Sequence, residues 1–115
     1  MPTFEQGTVV RVPFPYTDRP VRQYRPALVV SVGGVGEEDR LLWVVMITSA
    51  ENRGRPGDVD LTGDHRAAGL PAPSIVRTAK IATIEATDAD RLGAIPAGRL
   101  ALVLASLRQT MGFDR

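Results

Sequence analysis

The chain has 115 residues, of which 43% are hydrophobic and 23% charged, and its formal net charge at pH 7 is +1. This length and composition exclude a disordered chain and fit one domain spanning residues 1–115. The sequence has no cysteine and a single histidine, His65, which excludes disulfides and thiolate zinc sites and leaves too few soft ligands for a transition metal.

The N-terminal half contains three strand patterns separated by turn signals. Residues 7–14 are rich in β-branched side chains and end at a pair of prolines, whereas residues 27–32 and 41–47 are continuous apolar runs of the kind buried in small β folds. Residues 15–25 read as a loop rich in proline and arginine. Three glycines followed by acidic residues predict a hairpin turn at 33–39.

The C-terminal half alternates short strand patterns with turns and ends in a helix pattern. Residues 58–61, 74–77 and 80–85 predict short strands, and residues 88–92 predict a single helical turn that begins with acidic side chains. The last segment predicts a helix that stops at Gly112. Its apolar residues at helical spacing are Leu100, Val103, Leu104, Leu107 and Met111. We therefore predict a mainly β small barrel with a C-terminal α-helix that caps it.

The loop at 15–25 interleaves arginine with tyrosine. These residues are Arg19, Arg22, Arg25, Tyr16 and Tyr24. Guanidinium groups pair with phosphates and aromatic faces stack on bases, so this composition suits single-stranded nucleic acid. The alternative is a solvated arginine loop whose tyrosines pack against the barrel. Arg25 differs from its neighbours because it directly precedes Pro26, which holds its backbone extended at the start of an apolar strand.

Thr48 and Ser49 end the most hydrophobic strand, where small hydroxyls would emerge at the rim of a barrel. Such a pair can cap a strand end without performing any chemistry. In an antiparallel hairpin of the second and third strands, however, Arg25 at the start of one strand lies beside Thr48 at the end of the next. We therefore expect these two side chains to point into one groove.

Two further chemistries have weak support in the sequence. Asp58, Asp60 and Asp64 loosely resemble a loop for a hard cation, but the glycine and terminal glutamate of an EF-hand are absent. His65 lies in a polar stretch without a nucleophile elbow, so a serine hydrolase is not indicated.

Five segments together resemble the MazF/PemK/Kid-like toxins of type II toxin–antitoxin systems. In order along the chain, they are residues 7–18, 25–31, 45–49, 69–77 and 80–83. The resemblance covers nearly the whole chain, and its specificity lies in the order and spacing of the segments. It implies an SH3-like barrel with a C-terminal helix, a homodimer, and ribosome-independent cleavage of single-stranded RNA at short sequences.

The resemblance also implies a mechanism that uses neither metal nor cofactor. The ribose 2′-OH attacks the adjacent phosphate, which leaves 2′,3′-cyclic phosphate and 5′-OH ends. In the family, an arginine before the proline of the second strand and a threonine that ends the third strand carry catalysis, and these positions are Arg25 and Thr48 here. The residues expected to contact RNA around them are Tyr16, Thr17, Asp18, Arg19, Arg22, Tyr24, Ser49, Arg53, Arg77 and Lys80.

One departure from the family pattern concerns the general base. Arg77 matches an arginine that some members use near the scissile phosphate, and those members carry an acidic residue two positions later. This chain has Ala79 at that position. The base is therefore left open between Asp18, a bound water and substrate geometry alone.

The resemblance implies a cognate antitoxin of the MazE/PemI kind. Its disordered, acidic C-terminal segment would lie across the RNA groove, where the basic loop at 15–25 could receive it. Because the sequence has no signal-peptide pattern and no apolar segment approaching the ~18 residues of a membrane span, we expect a cytoplasmic protein without membrane contact.

Two other functions remain open for the same fold. Related toxins poison DNA gyrase through aromatic and apolar residues at the end of the C-terminal helix, and here residues 111–115 offer one aromatic side chain. The other alternative is a non-catalytic SH3-like binding module, in which removing Arg25 would change an affinity but no covalent bond.

Overall fold

The computed structural model describes residues 3–15 and 22–113, with Arg22 described by its backbone alone. These residues form an antiparallel sheet of six strands in the order β4-β5-β3-β2-β1-β6, followed by one α-helix. The strands are β1 Thr8–Pro15, β2 Arg22–Val29, β3 Leu41–Ser49, β4 Asp58–Asp60, β5 Ser74–Glu85 and β6 Asp90–Ala94, and the helix is α1 Ala97–Met111. No helix in these residues is long and apolar enough to cross a membrane.

Both faces of the sheet bury apolar side chains, because successive residues of a strand point to opposite faces. One core lies under α1 and includes Val45 and Ile47 of β3 with Val103 of the helix. The other lies on the opposite face and includes Val44 and Met46. This double burial explains why the second and third strands read as continuous apolar runs.

The expected mainly β fold with a C-terminal helix is confirmed. Within residues 3–15 and 22–113, no strand pairing joins the edge strands β4 and β6, so closure into a hydrogen-bonded barrel is not detected. The helix ends as predicted at Gly112, whose φ of 84° provides a left-handed C-cap. Of the five apolar residues at helical spacing in α1, four are buried or partly buried, whereas Met111 is 58% exposed.

The second strand begins earlier than predicted. Residues 22–25, which read as loop, pair with β1 in the register Val12↔Arg25 and Pro15↔Arg22. Pro26 has no N–H to donate to a neighbouring strand. It is tolerated here because the described pairing of β2 with β3 covers only Ala27 to Val29.

The two predicted strands at 74–77 and 80–85 are one strand, β5. A bulge explains the apparent break, since Met46 of β3 pairs with Arg77 while Val45 pairs with Ile81. The bulged residue Thr78 is buried, and its hydroxyl bonds to the Gly57 carbonyl at 2.8 Å.

The helical turn predicted at 88–92 is also wrong in its bounds. A short 3-10 turn occupies Ala86–Asp88, and β6 follows and pairs with β1. Long-range pairing with an open strand edge outweighs the weak local helix signal of the acidic residues there.

Packing of α1 on the sheet predicts a strong contrast between two neighbouring helix positions. Val103→Ala should lower the free energy of unfolding by about 2 kcal/mol, because Val103 is 0% exposed and its methyl groups fill the core. Leu102→Ala is the matched control, since Leu102 is 53% exposed. Urea denaturation of both variants measures the difference, and equal losses would contradict this packing.

Candidate functional site

The register between β2 and β3, extended past its last described pair, points to neighbouring positions for Arg25 and Thr48. Ala27 pairs with Met46 and Val29 with Val44. Continuing this antiparallel register by two residues places Arg25 opposite Thr48. Both residues then share the face of Ala27 and Met46, because side chains two positions apart in a strand point the same way.

Arg25 presents a hydrogen-bond donor without an acceptor. Its Nε is buried and has no hydrogen-bond partner among the described residues. A buried donor left unpaired costs about 1–3 kcal/mol, so this position favours binding of a group that carries acceptor oxygens. A phosphate matches the planar guanidinium well.

Thr48 is buried, with 6% of its surface exposed, and its hydroxyl is held by a neighbouring side chain. Asn52 Nδ2 donates to Thr48 Oγ1 at 3.1 Å. Asn52 belongs to a short 3-10 turn, Ala50–Asn52, that directly follows β3. A hydroxyl that accepts one bond keeps its own hydrogen for another acceptor.

Arg77 forms a buried ion pair with Asp58 across the β4–β5 ladder. Its Nε and Nη2 donate to the two carboxylate oxygens at 3.2 and 3.1 Å, and both side chains are 8% exposed. Arg77 Nη2 also donates to the Asn52 carbonyl at 2.6 Å. This pair therefore links β4 and β5 to the turn that touches Thr48.

The ion pair keeps Asp58 ionised. Burial raises its pKa, but hydrogen bonds from Arg77 and from the backbone N–H of Arg55, with the charges of both arginines, outweigh that effect and lower the pKa below the usual value. A carboxylate stabilised in this way is a weak proton acceptor.

The structure does not bring all predicted RNA contacts to Arg25 and Thr48. Tyr24 lies on the opposite face of β2 from Arg25, and the Arg11 guanidinium stacks 4.4 Å from its ring centroid. Ser49 Oγ accepts the Glu51 N–H and so caps the turn after β3.

Arg53 and Lys80 occupy two further positions of the predicted set. Arg53 is exposed, and its Nε donates to the Ala50 carbonyl at 2.9 Å. Lys80 is exposed in the bulge of β5. The side chain of Arg22 and all of Tyr16, Thr17, Asp18 and Arg19 lie outside the described residues.

The three aspartates considered for a cation each have a different partner. Asp58 pairs with Arg77, Asp60 accepts from the backbone and hydroxyl of Thr62, and Asp64 accepts from Arg99 Nε at 3.1 Å. Within the described ranges, no three acidic or histidine side chains gather into a metal-binding group.

Sequence reasoning missed Asn52 and the actual role of Asp58. Asn52 lies in a polar segment without any periodic pattern. Asp58 was recognisable in principle, because an arginine inside a strand needs a buried acid, and the nearest acid on a neighbouring strand is the natural partner.

The buried pair predicts a pH-dependent loss of stability. Because the folded pKa of Asp58 is lowered, its contribution is fully present above the unfolded pKa of about 3.9 and is lost as the pH falls through the folded value. Asp58→Asn should cost about 3 kcal/mol at pH 7, since it leaves Arg77 buried without a counter-charge. The difference in the free energy of unfolding between the variant and the wild type should become smaller below about pH 4.

Urea denaturation at pH 7, 5 and 3 measures this gap. Asp88→Asn is the control, because Asp88 is an exposed acid outside the network. A gap between wild type and Asp58→Asn that stays constant across the three pH values would refute the assignment.

The fold has relatives among solved structures. MazE–MazF from Deinococcus radiodurans, in crystal form II, is 24% identical with a TM-score of 0.74, over 97% of this chain and 98% of that one. A mycobacterial endoribonuclease in complex with its cognate antitoxin is 19% identical with a TM-score of 0.71, over 96% and 97%. Mycobacterium tuberculosis toxin MazF-mt6 is 20% identical with a TM-score of 0.65, over 92% and 98%.

At these identities the structural likeness establishes the fold, a MazF-like antiparallel sheet with a C-terminal helix. A search of curated proteins finds no significant match. The family model of the PemK-like, MazF-like toxins of type II toxin–antitoxin systems matches residues 5–111. The chain therefore belongs to the PemK-like, MazF-like family of type II toxins.

Proposed function

We propose that the chain is an endoribonuclease toxin that cleaves single-stranded RNA without a metal ion. Arg25 and Thr48 form its catalytic site. The observation that carries this proposal is the buried Nε of Arg25, which has no partner among residues 3–15 and 22–113 and lies on the same sheet face as Thr48. Relatives described as an endoribonuclease and as MazF support the reaction class. Metal independence rests on the side chains at the site, which are hydrogen-bond donors to anionic oxygens.

The reaction is an internal transfer within the RNA. The 2′-oxygen attacks the adjacent phosphorus, the bond from phosphorus to the 5′-oxygen breaks, and the products carry a 2′,3′-cyclic phosphate and a 5′-OH. Negative charge grows on the phosphoryl oxygens as the 2′-oxygen attacks. Arg25 and Thr48 donate hydrogen bonds to these oxygens and so lower the barrier.

Proton transfer is the second requirement of this mechanism. The 2′-OH loses a proton and the leaving 5′-oxygen gains one. Arg25 serves as a fixed cation that donates hydrogen bonds, and we do not assign it the role of the acid. Asp58 is a poor base because it is buried against Arg77 and its pKa is lowered. Asp18 and water in the groove are therefore our candidates for removing the 2′-proton, and we assign protonation of the 5′-oxygen to water.

The proposal predicts metal-free cleavage that depends on Arg25. Purified protein in excess EDTA should cut a long single-stranded RNA at discrete sites with 5′-OH ends. Arg25→Ala should slow cleavage by about 100-fold or more, since donors to a developing oxyanion contribute factors of this size. Arg91→Ala, at an exposed arginine on β6, should cleave at the wild-type rate.

Intact RNA with a folded wild-type protein would overturn the proposal. A supercoiling assay with DNA gyrase would then test the alternative toxin mechanism, for which the exposed Met111 and Phe113 at the end of α1 are suitable contacts. Binding of RNA without cleavage would instead indicate a binding module.

We also propose that a cognate antitoxin controls this activity by covering the same groove. The Deinococcus and mycobacterial relatives were both determined in complex with their antitoxins. A disordered segment with acidic side chains would place carboxylates where Arg25 otherwise receives a phosphate.

We further propose a homodimer that uses the opposite face of the sheet. Exposed apolar side chains surround a groove of about 520 Å³ between the sheet and α1. They are Val32, Trp43, Ile81, Met111 and Phe113. Among the described residues that line this groove, Arg108 alone carries a charge, so a second copy with the same apolar surface fits it better than an acidic segment.

The dimer proposal predicts that Ile81→Glu gives a folded monomer, because a charge at the centre of an apolar interface is desolvated without a partner. Leu102→Glu should remain dimeric, since Leu102 is equally exposed, at 53% against 54%, and lies outside the groove. Size-exclusion chromatography with light scattering measures the mass of each variant. A monomeric wild type, or dimeric Ile81→Glu, would contradict the assignment of this face.

A further inference from the structure

We propose that Asn52 is a positioning residue that sets the Thr48 hydroxyl as a hydrogen-bond donor toward the scissile phosphate. This inference rests on the proposed function of Arg25 and Thr48 and adds a residue that acts through Thr48. The arrangement that carries it is a chain of contacts from Asp58 through Arg77 to Asn52, and from Asn52 to Thr48.

The hydrogen-bond direction at Thr48 is the first step of the argument. Asn52 Nδ2 donates to Thr48 Oγ1 at 3.1 Å, so an oxygen lone pair of the hydroxyl is occupied from the side of the turn. The hydroxyl hydrogen then points away from Asn52, to where a phosphoryl oxygen can accept it. Without the amide, the hydroxyl of a buried threonine could rotate and donate to a protein acceptor instead.

The second step is the rigidity of the turn that carries Asn52. The Asn52 carbonyl accepts Arg77 Nη2 at 2.6 Å, and Arg77 is itself held at two atoms by Asp58. Ser49 Oγ closes the start of the turn, and Arg53 Nε binds the Ala50 carbonyl. The backbone of Asn52 is thus fixed from both ends of the turn, which limits where its amide can reach.

The third step separates positioning from mere stability of the turn. Asn52→Asp keeps the size of the side chain, but an ionised carboxylate can only accept hydrogen bonds. The Thr48 hydroxyl would then donate to the new carboxylate and be lost to the phosphate. If Asn52 only stabilised the turn, the effect of Asn52→Asp on cleavage would not depend on the Thr48 hydroxyl.

A double-mutant cycle tests this dependence in single-turnover cleavage of RNA. Asn52→Asp should lower the rate constant at saturating RNA by at least about 10-fold, with a smaller change in the RNA concentration at half-saturation. In a Thr48→Val background, where there is no hydroxyl to orient, Asn52→Asp should cause a much smaller loss, because only repulsion between the new carboxylate and the phosphate remains. Glu51→Gln, at an exposed neighbour in the same turn, is the control and should act like the wild type.

Equal losses in both backgrounds, or no loss in the wild-type background, would overturn the role of Asn52. A readout independent of activity is the NMR signal of the Asn52 side-chain amide, which should shift in Thr48→Val. It should stay in place in Ser106→Ala, a control on α1 whose hydroxyl bonds to Thr78 Oγ1 at 2.9 Å. An Asn52 amide signal that is the same in the wild type and in Thr48→Val would overturn the inference even if RNA is cleaved. An amide that responds to Thr48 in a protein that cleaves no RNA would overturn the proposed function and leave the hydrogen bond standing.

Discussion

The buried ion pair of Arg77 and Asp58 is the interaction on which the arrangement of the site depends. Two opposite charges that are each 8% exposed have lost most of their hydration, and only close pairing with additional hydrogen bonds offsets that cost. The pair meets this condition through two contacts between guanidinium and carboxylate and a third to the Asn52 carbonyl. It therefore fixes the edge strand β4, the bulged strand β5 and the turn after β3 relative to one another.

Polar groups in this region differ in how completely they are paired. Arg77 and Asp58 satisfy each other inside the protein, whereas the buried Nε of Arg25 has no acceptor in the described residues. An unpaired buried donor lowers folding stability, and one that a native protein retains calls for an explanation such as a functional role. The contrast supports a structural role for Arg77 and the proposed role of Arg25 as the cation that binds the substrate.

The two proposed interactions, with RNA and with a second copy of the chain, use opposite faces of the sheet. Arg25 and Thr48 share the face of Ala27 and Met46, while the exposed Trp43 and Ile81 line the groove beside α1. A second copy bound at that groove would leave Arg25 free for RNA. Both proposed interactions can therefore operate at the same time, as a dimeric enzyme requires.

Elements with strong local patterns were predicted correctly from the sequence. The bounds of elements that depend on long-range strand pairing were not. The helix up to Gly112 and the strand β3 were recognisable from periodicity and turn residues. The early start of β2, the continuity of β5 through its bulge, and β6 depend on partners distant in the chain. Local propensity is too weak to reveal such pairings.

The same distinction holds for the site. The prediction that Arg25 lies beside Thr48 came from the expected hairpin register and from the family resemblance, and the described β2–β3 register is compatible with it. The contacts of Arg77 with Asp58 and Asn52 span 19 and 25 residues, and nothing periodic in the loop between β3 and β4 marks Asn52 in advance.

The most direct test of the account is an NMR measurement on the Nε–H of Arg25. The ligand is an RNA oligonucleotide that carries the mapped cleavage sequence with a 2′-deoxy nucleotide at the scissile position, so that it binds without reacting. The account predicts that the Arg25 Nε–H signal shifts and becomes protected from solvent exchange on binding, and that these changes are absent when the RNA is replaced by a scrambled sequence. An Arg25 signal that is unchanged by saturating RNA would contradict a role for this donor at the phosphate.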